Sequence, residues 1–337
     1  MEAINKHSYA DRVRGCLLAG AIGDAFGYEI EFDSLSRIRQ RFGPEGLTAP
    51  VRHRGRLITS DDTQMTLFTL EGLLRARSSG CLDDLSATLE HLRLATLDWF
   101  RTQSSSPARE RYTGQRSPVM QVRRAPGNTC LSACALGATG TIERPLNNSK
   151  GCGGVMRVAP IGLMRELTVD QAFELGARAA AQTHGHPDGY LAAGYMAAMI
   201  RELVDGAWIG ELNESLEALQ KRAHHESVDV AVIKAWNACC ASAGADPRGL
   251  PEVIGSRLGE GWVGEEALAI GYFAACHGGD GTSTLPLAAN HGGDSDSTAS
   301  IAGQLVGAEF GLGVIPMAWR EGLDCEAELL ELAHQLA

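Results

Sequence analysis

Apolar and polar residues almost never alternate along this chain; where apolar residues recur, they do so every three to four positions. That period argues against a substantial sheet, and Val, Ile and the aromatics are too sparse to build one. The apolar surface must therefore be buried between helices, and the expected fold is all-α. Ser8-x-x-Asp11 resembles a capping box and opens a segment with Val13, Cys16, Leu17, Gly20 and Ala21 on one face, small enough to let a neighbouring helix approach closely. A second helix is predicted from Ser60-Asp61-Asp62, with Met65, Leu67, Phe68, Leu70, Leu73 and Leu74 as its apolar set. Further helices are expected over 85–100, from the Thr168-x-x-Gln171 box to about His184, over 190–204 behind a first-turn Pro187, and over 212–225, 228–243, 265–277, 297–310 and 326–336. Residues 41–56 and 103–128 read as surface loops or insertions rather than linkers. One domain over residues 1–337, without internal repeats, is the simplest organisation.

The charge balance narrows the partners. With 30 Lys+Arg against 41 Asp+Glu the formal charge is −11, which argues against non-specific binding to nucleic acid or an anionic membrane. The start of the chain is polar and no span approaches the ~18 apolar residues of a membrane helix, so a cytoplasmic location is expected. Nine cysteines without C-x-x-C spacing do not suggest a disulfide or zinc framework; Cys130/Cys134 and Cys239/Cys240 read as small buried hydrophobes. Glycine is in excess, 40 of 337 residues where about 7% is usual, and its clusters imply specialised loops or close helix contacts.

Five segments can carry chemistry. Thr59-Ser60-Asp61-Asp62-Thr63 and Asn290-His-Gly-Gly-Asp294-Ser-Asp296-Ser297-Thr298 each lead into an apolar helix. Taken singly, each can be a helix cap that complements the dipole. Taken together, four aspartates on two helix mouths would repel one another unless cations joined them, and an oxygen-only donor set favours Mg²⁺ or Mn²⁺ over zinc or copper. In Gly23-Asp24-Ala-Phe-Gly27-Tyr-Glu29-Ile-Glu31-Phe32, Asp24 lies inside an apolar stripe and reads as a structural, internally paired residue. Glu31 lies beyond the helix end, where it can serve as general base or metal ligand; Glu29 and Glu31 can share a face of an extended segment, and spacing does not choose between them. Ser149-Lys150-Gly151-Cys152-Gly153-Gly154-Val155-Met156-Arg157 is a phosphate-cradling loop or a tight turn. His184 and His186, with no third His or Cys near in sequence, read as ligand contacts or caps rather than a metal pair.

In this order, the five segments resemble the ADP-ribosylglycohydrolase family, which includes the dinitrogenase-reductase-activating glycohydrolase and the eukaryotic ADP-ribosyl-acceptor hydrolases. The resemblance spans residues 15 to about 310 and implies an all-α fold with a binuclear Mg²⁺ (or Mn²⁺) centre. It implies Ser60, Asp61, Asp62, Asp294, Asp296 and Ser297 as metal ligands, and Glu31, Asp62 and Asp296 as catalytic residues. It also implies Gly151, Cys152, Gly153, Gly154, Val155 and Met156 as the loop lining ADP-ribose, and His184 as a residue beside the ribose and adenosine. Ser60 and Ser297 stand where many members have Thr, and Cys152 where Asn is frequent. The implied reaction is release of ADP-ribose from a modified protein, with arginine as the expected acceptor and serine-linked or small-molecule conjugates as alternatives. It can reverse a regulatory modification or one made by a cognate ADP-ribosyltransferase toxin. A non-catalytic ADP-ribose-binding or toxin-docking immunity protein on the same scaffold is the second reading, and the complete aspartate set ranks it second.

Overall fold

Two helices that are buried all round fix the architecture. In a computed structural model that describes residues 7–103, 117–212 and 226–337, nearly every residue of α1 (Tyr9–Gly27) from Val13 on, and of the helix Ser295–Phe310 up to Glu309, is buried. They run antiparallel with small residues in register: a Cβ on Gly15 would lie 2.4 Å from the Gly307 carbonyl oxygen, one on Gly23 2.1 Å from that of Ala299, and one on Gly27 2.0 Å from that of Ser295. Reciprocally, a Cβ on Gly303 would lie 2.2 Å from the Ala19 oxygen. A four-residue repeat of Gly and Ala thus lets two backbones touch, which a larger side chain at those positions would prevent. Because the pair is antiparallel, the C-terminus of α1 meets the N-terminus of its partner.

Around this pair are wrapped α2 (Leu35–Phe42), α3 (Asp61–Ser78), α4 (Leu85–Thr102), α5 (Asn128–Ala135), α6 (Ala159–Leu163), α7 (Val169–Ala181) and α8 (Pro187–Val204). They are followed by α9 (Glu226–Ala241), α10 (Leu250–Arg257), α11 (Gly264–Gly278), α12 (Gly281–Ala289), the central α13 (Ser295–Phe310), α14 (Met317–Arg320) and α15 (Glu326–Leu336). Packing joins α3 to α4, α7 to α8, α9 and α13 to α11, and α12 to α13 around one continuous core that includes Trp99, Tyr195, Tyr272, Phe26 and Phe273. Among the described residues there are only isolated bridges, as at Leu57 and Leu323, and no strand. No helix among them is long and apolar enough to cross a membrane.

The helices with strong local signals form as the periodicity predicts. Ser8 caps α1, the Thr168–Gln171 capping box closes in both directions, and Pro187 occupies the first turn of α8. Short helices α2, α5, α6, α10, α12 and α14 add to the expected set; α2 ends where the loop 41–56 begins. The segment expected as a helix over 212–225 lies outside the described residues beyond Leu212, as does 104–116 of the loop 103–128; the described end of that loop holds a 3₁₀ turn at Pro118–Gln121. No cysteine is in a disulfide; Cys130 and Cys134 are buried as expected, whereas Cys239 is only partly buried and Cys240 is exposed, because it lies on the outer face of α9.

Candidate functional site

The centre is assembled where α1 ends and α13 begins. Past Gly27 the chain makes a tight turn in which the amides of Ile30 and Glu31 both donate to the Gly27 carbonyl at 2.9 Å. The segment is therefore not extended, and Glu29 and Glu31 do not share a face. Glu29 turns to Arg41 and to His53, whose Nε2 lies 2.7 Å from Glu29 Oε2. Glu31 turns inward, where its carboxylate, that of Asp294 and that of Asp296 have oxygens within 4.8 Å of one another.

Both aspartate loops are held rigidly. On α3 the cap is the Ser60 hydroxyl, which accepts from the Asp62 amide at 3.2 Å, so neither aspartate is needed to cap that helix. Asp61 and Asp62 occupy its first turn almost fully buried; the Gly127 amide donates to Asp61 Oδ2 at 3.4 Å, and Asp62 Oδ2 is buried without a hydrogen-bond partner. On α13, Asp294 occupies the cap position but its side chain caps nothing; its Oδ2 accepts from the Cys152 thiol at 2.8 Å. The Asp294 amide donates to the Glu260 carbonyl at 2.8 Å, and Gly293 passes so close that a Cβ there would lie 1.9 Å from the same oxygen. Asp296 Oδ1 accepts from the Ser297 amide at 2.9 Å, and the Ser297 hydroxyl points at Cys152 Sγ, 3.6 Å away, and at Met156 Sδ. Asp24, fully buried, joins α1 to α3: it accepts from the amides of Ser60 at 2.8 Å and Thr63 at 3.0 Å and from the Thr63 hydroxyl, an internally paired role.

Electrostatically the cluster is poised for cations. Burial, then the neighbouring charges of Asp296 and Asp294, pushes the Glu31 carboxyl up to about 10. Burial and then Asp296 hold Asp61, Asp62 and Asp294 well above the ordinary carboxylate range, and Asp24 is raised to about 7 in the same way. Beyond burial, the strongest influences on Asp62 are all other carboxylates: Asp296, Asp24, Asp61 and Asp294. A hard divalent cation fits this donor set: the ligand atoms are carboxylate and hydroxyl oxygens, and the orphaned Asp62 Oδ2 and Glu31 Oε2 lack any other partner.

The glycine segment forms the adjoining wall. Residues Cys152–Gly154 make one 3₁₀ turn, and its glycines allow close contact: a Cβ on Gly153 would lie 2.8 Å from Cys130 Sγ and 3.2 Å from His184 Nε2. His184 is buried against this turn, with Nδ1 2.8 Å from the Thr183 hydroxyl; burial, then the Arg157 charge, lowers it to about 3, so it is neutral. Arg157 ties the wall together, donating to the Gly153 carbonyl at 3.0 Å and to the Thr183 hydroxyl at 2.8 Å. Its position after the glycines was visible in sequence, its direction was not. Lys150 is engaged with Glu265 Oε1 at 2.7 Å. His186 caps α8 through Nδ1, which accepts from the Asp188 amide at 3.1 Å. Val155 and Met156 are buried; Met156 reaches the centre through its contact with Ser297.

The fold and this centre define an all-helical protein with a buried acidic cluster framed by two helix N-termini and a glycine turn. The chain belongs to the ADP-ribosylglycohydrolase family, whose sequence model matches residues 5–337. It is thus a glycosidase-type hydrolase of ADP-ribose conjugates, in a family that is typically metal-dependent. Among solved structures it is similar to one described as an ADP-ribosylglycohydrolase-related protein complex, at 26% identity and a TM-score of 0.66 over 98% of each chain. No curated protein matches the sequence.

Proposed function

We propose that the chain removes ADP-ribose from modified proteins by hydrolysing the N-glycosidic bond to arginine, with two Mg²⁺ ions, or Mn²⁺, as cofactors. The observation that carries this reading is the convergence of Glu31, Asp294 and Asp296 beside Asp61 and Asp62, with the buried Asp62 Oδ2 left unpartnered. Ser60, Asp61, Asp62, Asp294, Asp296 and Ser297 would hold the ions, which when bound supply positive charge to orient the ribose hydroxyls and offset charge that develops at the reacting carbon.

The remaining work falls to the chain. The Cys152–Gly154 turn, with Gly151, Val155 and Met156, would line the ADP-ribose half, and neutral His184 supports it from beneath without adding charge. Glu31 differs from the aspartates in being carried by a turn and being only partly buried. It reaches both the centre and solvent, and once cations offset the burial and the neighbouring carboxylates that raise it, would take the proton from water as that water adds to the ribose carbon; Asp62 and Asp296 shape the site. The carbon–nitrogen bond breaks, the acceptor nitrogen gains a proton, and free ADP-ribose and an unmodified side chain result. The substrate partner is an ADP-ribosylated protein, and an ADP-ribosyltransferase toxin would be a natural source of it.

The test is release of ADP-ribose from arginine-linked and serine-linked substrates, each with Mg²⁺ and with EDTA. Arginine-linked substrate should be turned over in Mg²⁺ alone, and Asp62→Ala should lose at least about 100-fold in rate. Undiminished turnover by Asp62→Ala overturns the metal-ligand assignment.

A further inference from the structure

The residue that follows Glu31 is the most exposed large apolar side chain among the described residues. Phe32 is 72% exposed and its backbone has φ 69, the left-handed region that a bulky side chain rarely adopts. Such a conformation persists only where the surroundings hold it, and here the tight turn that points Glu31 inward points Phe32 outward. Its ring stacks on Trp262, with centroids 5.3 Å apart and planes 19° from parallel. Trp262 is itself 37% exposed.

Trp262 belongs to the segment that braces the acidic centre. Its carbonyl accepts from the Cys152 amide at 3.2 Å, the Glu260 carbonyl holds the Asp294 amide at 2.8 Å, and a Cβ on Gly261 would lie 3.4 Å from Asp294 Cβ. The Trp262 indole donates to the exposed Glu260 carboxylate at 3.2 Å. The two aromatic rings therefore form a shelf at the solvent side of the centre, bordered by a carboxylate, and neither 28–33 nor 259–263 contains a Lys or Arg.

We propose that this Phe32–Trp262 shelf, with Glu260 at its edge, receives the acceptor side chain, and that its chemistry selects a planar cation, the guanidinium of arginine. The inference rests on the hydrolase reading above and deepens it. The acceptor is part of a folded protein and must approach from solvent, whereas Gly153, Gly154 and His184 are buried. A π face beside a carboxylate attracts a delocalised flat cation by cation–π stacking and a charge-assisted hydrogen bond; a serine hydroxyl gains neither.

Trp262→Leu keeps bulk and removes the π face, and Trp262→Phe keeps a π face. With ADP-ribosylarginine as substrate, Trp262→Leu and Phe32→Leu should each raise KM about tenfold with kcat within about twofold, and Trp262→Phe should recover most of the loss. Calorimetric affinity for free ADP-ribose should stay within about twofold of wild type in all three. An equal loss of ADP-ribose affinity would assign the shelf to the ADP-ribose half and overturn the proposal, as would unchanged KM values. If the wild-type chain turns over no ADP-ribosylated substrate, the hydrolase reading fails and the shelf fails with it; turnover with variants indistinguishable from wild type removes the shelf alone.

Discussion

Asp24 shows how much of the site depends on a fully buried, internally paired residue. Its carboxylate collects three donors from the start of α3, and its own position on α1 ties that start to the central pair. Removing it leaves buried amides of Ser60 and Thr63 unsatisfied, and each such donor costs about 1–3 kcal/mol. Asp24→Ala should therefore lower stability by about 3 kcal/mol or more, measured by denaturant unfolding, and should misplace Asp61 and Asp62. A loss below about 1 kcal/mol would show that the carboxylate is dispensable. The sequence made this residue legible, since a lone acid in an apolar stripe must find donors. It did not separate Glu29 from Glu31: that choice depends on a turn whose amides both return to Gly27, and side-chain direction in a turn is not encoded by spacing. Phe32 and Trp262 were likewise opaque, because residues far apart in sequence stack only once both loops are folded.

At the level of elements, the legible helices are those with local signals of their own. Ser8, Ser60 and Thr168 cap the helices that follow them, and long apolar periodicity does the rest. The helices that periodicity left out, such as α5 and α10, span eight residues each, too short to be stable alone and held by packing. The glycines of α1 and α13 have a clearer meaning in the structure than in composition. They let the ends of two helices touch, and that contact brings Glu31 to Asp294 and Asp296. Gly27→Ala would place a Cβ 2.0 Å from the backbone oxygen of Ser295, which cannot move without shifting the Asp296 loop. The variant should lose about 3 kcal/mol and most metal-dependent turnover together. Gly255→Ala is the control: it lies in α10 with nothing within 4 Å of the added Cβ, and should be neutral or stabilising by up to about 1 kcal/mol. Equal melting temperatures for the two variants would remove the argument from close approach.

For the whole molecule, the acidic surplus of the composition has an internal counterpart, a buried carboxylate cluster whose cost depends on pH and on cations. In the unfolded chain these acids titrate near about 4. In the fold, Glu31 is pushed up to about 10 and Asp24 to about 7, burial being the first cause of each. Between those limits the folded chain binds more protons than the unfolded one, so folding is favoured below about 4 and that contribution is lost as pH rises through the folded values. A divalent cation can replace the protons, and it competes better as they leave. Metal-free protein should therefore melt at progressively lower temperature from pH 5 to pH 8, while protein in excess Mg²⁺ should lose less. At one fixed Mg²⁺ concentration the gap between the two melting curves should widen with pH, reaching several degrees at pH 8 if that concentration is about 100 times the dissociation constant there, where the linkage contributes about 2.7 kcal/mol. Asp62→Ala should narrow the gap at pH 8, since it removes the buried oxygen that has no other partner. A gap of equal size at both pH values would mean that Mg²⁺ binds elsewhere on the acidic surface and that the cluster retains its protons; a gap that widens in wild type and collapses in the variant ties the cation to these carboxylates and to no others.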